Sequence, residues 1–334
     1  MSPKLSIFIP TFNRNNILFD NLKFLLPQLN SECKVVVLDN CSDISVSTTL
    51  KDVQLQYPAT INIITNKVNI GAAANVVRCF ELCDTDWLWV LGDDDKPDCN
   101  SIKTILEHIN IYEDSIFINF SSEIKSREKL FTTSKQDEFI ELMDSWSNVL
   151  FISSAIYKAS VLKKHLRVAY HYIYSMGPHF ALLLEALYSE KNAHCVFSNK
   201  SIVTWVAPSA EQSWDQIILG NATTLLELVP NEASQRKLAR EIISYVPSIK
   251  HLYFDLLDRP SNYLNGDTRY YYNQLAYKIL YFSRERLMFI AQYVYLTFIR
   301  IYIKKIYRYF FSKPHKQDNI LKKNLRNIFF GSRT

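Results

Sequence analysis

Glycine is scarce, with only six in 334 residues (Gly71, Gly92, Gly177, Gly220, Gly266 and Gly331). Neither GxGxxG nor GxxxxGK(S/T) occurs, so the chain lacks the glycine-rich phosphate cradles of dinucleotide-binding dehydrogenases and P-loop enzymes. A nucleotide bound here would have to be gripped by side chains and a metal ion. The six cysteines (Cys33, Cys41, Cys79, Cys83, Cys99 and Cys195) form no CxxC pair and no regular framework. They are expected to be reduced, mostly buried thiols of a cytosolic protein. Long hydrophobic runs are also missing. The amino-terminal run is too short for a secretory segment and ends in Pro-Thr-Phe-Asn-Arg rather than a cleavage site. Leu287 to Ile299, largely apolar, falls short of the roughly 18–20 residues that a spanning helix needs.

Apolar residues are nonetheless plentiful at 48%, enough for a large core, and aromatics reach 13%. The formal charge of +5 is unevenly placed: residues 286–334 hold eleven Lys or Arg against one acid, Asp318, so the first 285 residues are net −5. A mildly acidic body is followed by a strongly basic tail.

The stretch Trp87 to Asp95, WLWVLGDDD, is an apolar run that leads through one glycine into three adjacent carboxylates. Such a run reads as a buried strand, and acids at its end sit where ligands bind in open α/β sheets. Three clustered carboxylates repel one another unless a cation or a set of donors compensates them. A hard divalent ion sharing one or two of them with substrate phosphates is one solution. A solvated acidic turn is the alternative.

Upstream, Leu5–Ile9, Lys34–Leu38 and Ile61–Ile64 are further strand-like runs, each closing in polar residues, with helices expected from about Asn16 to Leu29 and from Ala72 to Cys83. Alternation of this kind predicts a mostly parallel sheet with a ligand crevice along one edge. Thr11–Arg14, Asp39–Asp43, Asn69–Gly71 and Asp93–Asp95 would converge there.

These four polar elements, in register over about ninety residues, make Leu5 to Asp98 resemble the nucleotide-sugar-binding half of family 2 glycosyltransferases of the bacterial surface-polysaccharide type. The resemblance implies an α/β protein of the GT-A fold, with a mixed, mostly parallel sheet flanked by helices and, here, a helical C-terminal extension. It implies that Pro10, Thr11, Asn13 and Arg14 line the base and ribose side of the donor site. It places Asp39 against the imide N–H of a uracil or thymine ring, a role suited to a carboxylate that only accepts, so a UDP- or dTDP-linked sugar is expected. The lesser alternative for Asp39 is a turn acid bonded to local backbone. Asn69 and Gly71 would form the floor beneath the nucleotide, at a helix amino terminus where anions are favoured, although Gly71 could be only a turn glycine. Asp93 would face the ribose beside Asp94, and Asp95 would hold Mg²⁺ or Mn²⁺ on the diphosphate, a Lewis acid for the departing nucleotide.

The acceptor half departs from the family pattern. Family members that invert usually carry an acidic pair after a glycine at a helix start. Here Met176-Gly177-Pro178-His179 stands in that place, with Pro178 suited to a first helical turn. His179 is thus a candidate base or second metal ligand, or simply a residue packed beneath its helix. Glu211 and Asp215 in the polar loop 208–215 are further candidates, with Trp214 available to stack on a sugar. Val149 to Tyr157 is apolar with small residues, and residues 216–285 read as helical.

Beyond Arg286, Arg300, Lys304, Lys305 and Arg308 share a helical face interleaved with aromatics, as in a helix lying in a membrane interface. Anionic lipid is preferred over nucleic acid as the partner, and docking of this helix on the protein's own body or on a partner subunit is a third reading. The expected organisation is a catalytic domain over 1–215 (nucleotide-sugar binding in 1–98, acceptor side in 99–215), a helical extension over 216–285 and the basic tail over 286–334. The expected protein is a cytoplasmic enzyme, peripheral on the inner face of the plasma membrane, that transfers a sugar from a nucleoside diphosphate to a glycan or lipid-linked glycan. A non-catalytic nucleotide-sugar-binding or scaffold protein and a nucleotidyltransferase are the alternatives.

Overall fold

The computed structural model describes residues 3–56, 61–205, 221–244, 249–258, 268–282, 286–300, 302–303 and 305–306. They fall in two compact units, the first ending at Ile242 and the second beginning at Ile243.

In the first unit, β1 (Leu5–Thr11), β2 (Cys33–Asp39), β3 (Ile61–Thr65) and β4 (Trp87–Val90) are the four parallel strands expected from the apolar runs. β5 (Lys96–Pro97) follows the acidic triplet. β6 (Ser115–Ser121), β7 (Phe131–Ser134), β8 (Ala155–Lys158) and β9 (His194–Ser201) complete an eight-stranded sheet of order β3-β2-β1-β4-β8-β6-β9-β7. β10 (Val203–Thr204) pairs with β5 in a separate ribbon. β8 is antiparallel to both β4 and β6, and β7 to β9; the other pairs are parallel, so the sheet is mixed and mostly parallel.

β1, β2 and β4 are apolar on both faces because both faces are covered. Leu18, Leu22 and Leu25 of the helix Asn15–Leu25, with Ile102, Ile105 and Ile109 of the helix Ser101–Ile111, pack with Ile7, Val35 and Trp89 in one cluster. Val77 and Phe80 of the helix Ala72–Leu82 are also buried, Phe80 edge-on to Tyr157 with ring centroids 5.1 Å apart. The first helix stops at Leu25, earlier than its composition suggests. Pro27 cannot donate and would clash with the carbonyl four residues back, so Leu26–Gln28 continue as a 3₁₀ turn. Val149–Tyr157 is also split: the helix Trp146–Leu150 and the turn Ile152–Ser154 precede the short β8.

Register carries the strand ends to one edge. Thr11 pairs with Asp39, and Asp39 with Thr65, so three polar termini lie in a row. Phe8 pairs with Val90, and Leu91 N–H donates to Phe8 O, which sets Gly92–Asp95 beside that row.

The second unit is helical, with Ile249–Tyr253, Thr268–Phe282 and Arg286–Val294 α-helical and Phe254–Asp258 and Tyr295–Ile299 in π-helical turns. Tyr272 lies edge-on to Tyr253 and stacks on Tyr293. Here the shared basic face is corrected. Arg300 is only 3% exposed, its guanidinium lying over Tyr253 and Phe254 at 5.0 and 4.7 Å. Phe289, Leu296 and Arg300 form the buried face of this helix, while Leu287, Ile290, Val294 and Phe298 are exposed on the opposite face. Lys304 and Arg308 lie outside the residues whose side chains are described, and Lys305 is exposed.

Candidate functional site

The loop after β1 and the loop after β2 are locked together. Asn13, in a left-handed conformation (φ 55°), donates its backbone N–H to Ser42 Oγ (2.9 Å) and its side-chain amide to Asp43 (3.0 Å), and its Oδ1 accepts the Asp43 N–H (2.8 Å). Cys41 is also left-handed (φ 67°). Two non-glycine residues in this sparsely populated region persist only where surrounding contacts over-determine them, which is common at ligand-binding loops.

Asp39 closes β2 with no exposed surface. Its Oδ1 accepts the Ser42 N–H at 3.0 Å, and Thr65 Oγ1 donates to its Oδ2 at 3.4 Å. The local-turn role is therefore present, and the longer bond leaves Oδ2 the weaker-held oxygen. Pro10 pairs with Leu38 in the register between these two strands.

Four asparagines join the next loops. Asn75, buried in the first turns of the helix Ala72–Leu82, donates to Leu38 O (3.1 Å) and accepts from Asn66 (2.8 Å); Asn66 also donates to Asn40 (3.0 Å), which donates to Asn69 (2.8 Å). Asn69 Oδ1 in turn accepts the Gly71 N–H (2.9 Å). Gly71 has φ +86° and open space where a Cβ would sit, so its requirement for glycine is conformational rather than steric.

The acidic triplet is divided by environment. Asp93 is buried; Thr11 Oγ1 donates to its Oδ2 (2.7 Å), Arg14 Nη1 to its Oδ1 (3.0 Å), and Asn21 to its backbone carbonyl (2.6 Å). Burial pushes its carboxyl above the ordinary range, against the opposing bonds from Thr11 and Arg14. Asp94 is the exposed member and takes the same Arg14 nitrogen at 2.8 Å. Asp95 is buried and folds back over Gly92, where a Cβ would collide with its Oδ2. Ser153 Oγ bridges the two, accepting the Gly92 N–H (2.8 Å) and donating to Asp95 Oδ2 (2.6 Å), while the Ser153 carbonyl accepts from Trp89 Nε1 (2.8 Å).

This cradle fits a hard cation. It fixes an oxygen ligand at the sheet edge, where a substrate diphosphate and water could supply the remaining positions. Among the described residues, no group of three or more His, Cys, Asp or Glu side chains is arranged to hold a metal ion.

His179 is brought elsewhere in the local geometry. Pro178 opens the helix Pro178–Ser189 as expected, but the imidazole is only 6% exposed, edge-on to Tyr157 and with Nε2 3.1 Å from Leu150 O. Burial drives its pKa down to about 4, against the opposing pull of the Leu150 carbonyl. A neutral ring that donates Nε2–H to a backbone carbonyl packs beneath its helix, and that nitrogen is not available to a metal ion. Glu211, Asp215 and Trp214 lie outside the described residues.

Ser153, Asn21 and Asn75 carry no signal in the sequence, and Asn40 lies within the polar end Asp39–Asp43 without a role of its own there. Ser153 lies 58 residues from Asp95 within an apolar stretch, and only the pairing of β4 with β8 brings the two together.

Known proteins resemble this arrangement. The chain is 29% identical over 112 residues to WcaA of Escherichia coli (strain K12), whose name assigns it provisionally to colanic acid biosynthesis as a glycosyl transferase; the match spans 32% of this chain and 38% of that protein. The chain therefore covers little more than a third of that relative's length. The structure resembles S. aureus TarS 1-349 in complex with UDP-GlcNAc (TM-score 0.52, 14% identity, 84% of this chain and 82% of that one). It also resembles a mannosyltransferase, PcManGT, from Pyrobaculum calidifontis in complex with GDP-Man and Mn²⁺ (TM-score 0.51, 10% identity, 98% and 88%). The fold is GT-A, and residues 6–166, which carry the sheet-edge side chains described above, match the model of glycosyl transferase family 2.

Proposed function

We propose that this protein is a family 2 glycosyltransferase that moves a sugar from a UDP- or dTDP-linked donor to a glycan or lipid-linked glycan in bacterial surface-polysaccharide synthesis, with inversion at the sugar carbon. The observation that carries the reading is the meeting of Thr11, Arg14, Asp39, Asp93 and Asp95 at one sheet edge, inside the segment that matches the family. Asp39 Oδ2 would accept the imide N–H, Asp93 the ribose hydroxyls, and Asn69 and Gly71 would support the nucleotide from below. Asp95 would hold Mn²⁺ or Mg²⁺, which when bound supplies a Lewis acid for the leaving diphosphate. Arg14 would leave Asp94 to pair with a phosphate oxygen, an exchange of one charge-assisted contact for another.

A thermal-shift screen of UDP-, dTDP-, GDP- and CDP-sugars with Mn²⁺ tests the reading, because a ligand of the folded state raises the melting temperature by mass action. Stabilisation by a UDP- or dTDP-sugar that EDTA reverses is expected. Stabilisation by none of them refutes the reading.

The second unit would place the enzyme peripherally on the inner face of the plasma membrane. An exposed helix face built from Leu287, Ile290, Val294 and Phe298, beside the exposed Lys305, suits an anionic membrane interface. No helix among the described residues is long and apolar enough to cross a membrane. Co-sedimentation with anionic vesicles, lost in Leu287→Asp/Val294→Asp, tests this placement.

A further inference from the structure

We propose that Glu123 is the general base that activates the acceptor, with the Trp205 indole as the adjoining surface for the acceptor sugar. The assignment rests on the donor reading above and supplies the acceptor-side group that His179 does not.

Topology brings Glu123 to the site. β8 is antiparallel to β4 and to β6, so β4 and β6 run the same way and the carboxyl end of β6, at Ser121, opens on the edge that holds Asp93–Asp95. Glu123 sits two residues beyond, in the turn Ser122–Lys125, closed by Ser122 N–H to Lys125 O (3.0 Å) and Ile124 N–H to Ser122 Oγ (3.1 Å). The turn is anchored from below. Ser122 Oγ donates to Asn148 Oδ1 (2.5 Å), and Arg127, buried, reaches Asn119 Oδ1 (2.6 Å) and both oxygens of Asp144 (2.9 and 3.0 Å).

The β5–β10 ribbon approaches from the other side. Val203 pairs with Pro97 and Thr204 with Lys96, so the ribbon sets Thr204 against the residue that follows Asp95, and Trp205 comes next in the chain. Asp98 fixes the ribbon, accepting from Ser201 Oγ (2.7 Å) and Thr204 Oγ1 (3.1 Å) and donating its N–H to Ile202 O (3.1 Å). The contact that joins the two sides is Trp205 N–H to Glu123 Oε2, at 3.0 Å. An exposed carboxylate is thereby tied to the ribbon whose other strand follows the acidic triplet, and the residue that donates to it, Trp205, is itself exposed.

Of the neighbouring carboxylates, Asp93 is held by Thr11 and Arg14, Asp95 by Ser153, Asp98 by two hydroxyls and Asp144 by Arg127, while Asp94 lies with Arg14 on the donor side. A carboxylate has about four acceptor positions, so the Trp205 N–H leaves Glu123 room for a hydroxyl. In the step itself, Glu123 takes the acceptor O–H proton as the acceptor oxygen bonds to the sugar C1. The C1–O bond to the diphosphate breaks, and its electron pair leaves with the nucleoside diphosphate.

The test uses the full chain, Mn²⁺ and whichever UDP- or dTDP-sugar stabilises it, with water as the acceptor and nucleoside diphosphate release as the readout. A positioned general base contributes about 10²–10⁴-fold. Glu123→Gln keeps an oxygen for the Trp205 N–H, so it is expected to retain the donor-induced thermal shift and lose at least about 100-fold in release. Molar azide, a nucleophile with no proton to remove, is expected to restore release in Glu123→Ala and yield glycosyl azide. Wild-type release from Glu123→Gln, loss of the donor shift in that variant, or no azide rescue each overturns the assignment. If the wild type binds no donor, the donor reading falls with it; if the wild type binds donor and Glu123→Gln is fully active, Glu123 alone is wrong.

Discussion

Replacing His179 by Gln should flatten the acid side of this protein's stability profile. A glutamine side chain can reach Leu150 O with its amide as the imidazole does with Nε2–H, but it cannot titrate. In the native state burial lowers the His179 pKa from 6.5 to about 4. The folded pKa is depressed, so the unfolded chain binds this proton first on acidification. The neutral ring's contribution is therefore fully present above pH 6.5 and is lost as pH falls from 6.5 towards 4. At about 1.36 kcal/mol per pKa unit, the full window is worth about 3 kcal/mol, and the part lost between pH 7.5 and pH 5 about 2 kcal/mol. Urea unfolding followed by tryptophan fluorescence suits the measurement, because all five tryptophans precede Ile243 and Trp87, Trp89 and Trp146 are buried, so the signal reports the first unit. Asp93 and other carboxylates titrate in both proteins and cancel in the difference between the wild type and the His179→Gln variant. If His179→Gln shows the same loss from pH 7.5 to pH 5 as the wild type, the ring is not a buried neutral group and its packing role is refuted.

Asp95→Ala should abolish sugar transfer, and EDTA should do so reversibly; full turnover in EDTA would remove the metal from the proposal. Ser153→Ala should destabilise the first unit by about 1–3 kcal/mol, since the Gly92 N–H loses its buried acceptor. It should also raise the Mn²⁺ concentration for half-maximal thermal stabilisation by roughly 10–100-fold, as expected of a group that orients a metal ligand. Gly71→Ala should cost about 1–3 kcal/mol by chemical denaturation through backbone strain alone, because nothing lies where its Cβ would go; a neutral result would mean that the loop relaxes freely.

Much of the donor half was legible. Runs such as LSIFI and KVVVL fit strands covered on both faces, and their alternation with helices pointed to a mostly parallel sheet whose polar ends meet. Boundaries were less legible where one residue overrode composition, as Pro27 does at the end of the first helix. Arg300 looked like one of a row of surface cations, because sequence spacing gives the face of a helix but not what packs on it; Tyr253 and Phe254 decide that it is inside.

The sequence by itself determined the four parallel strands of the amino-terminal half, their polar ends and the acidic triplet, because local apolar runs and their interruptions are properties of neighbouring residues. Tertiary structure alone decided what each polar group does. It set Ser153 beneath Asp95, tied Asn40, Asn66, Asn69 and Asn75 into one chain, sent His179 under its helix and brought Glu123 to Trp205. Those partners are separated by up to 82 residues along the chain. The antiparallel insertion of β8 turns the carboxyl end of β6, and with it the turn that holds Glu123, to the edge that the parallel strands had already defined.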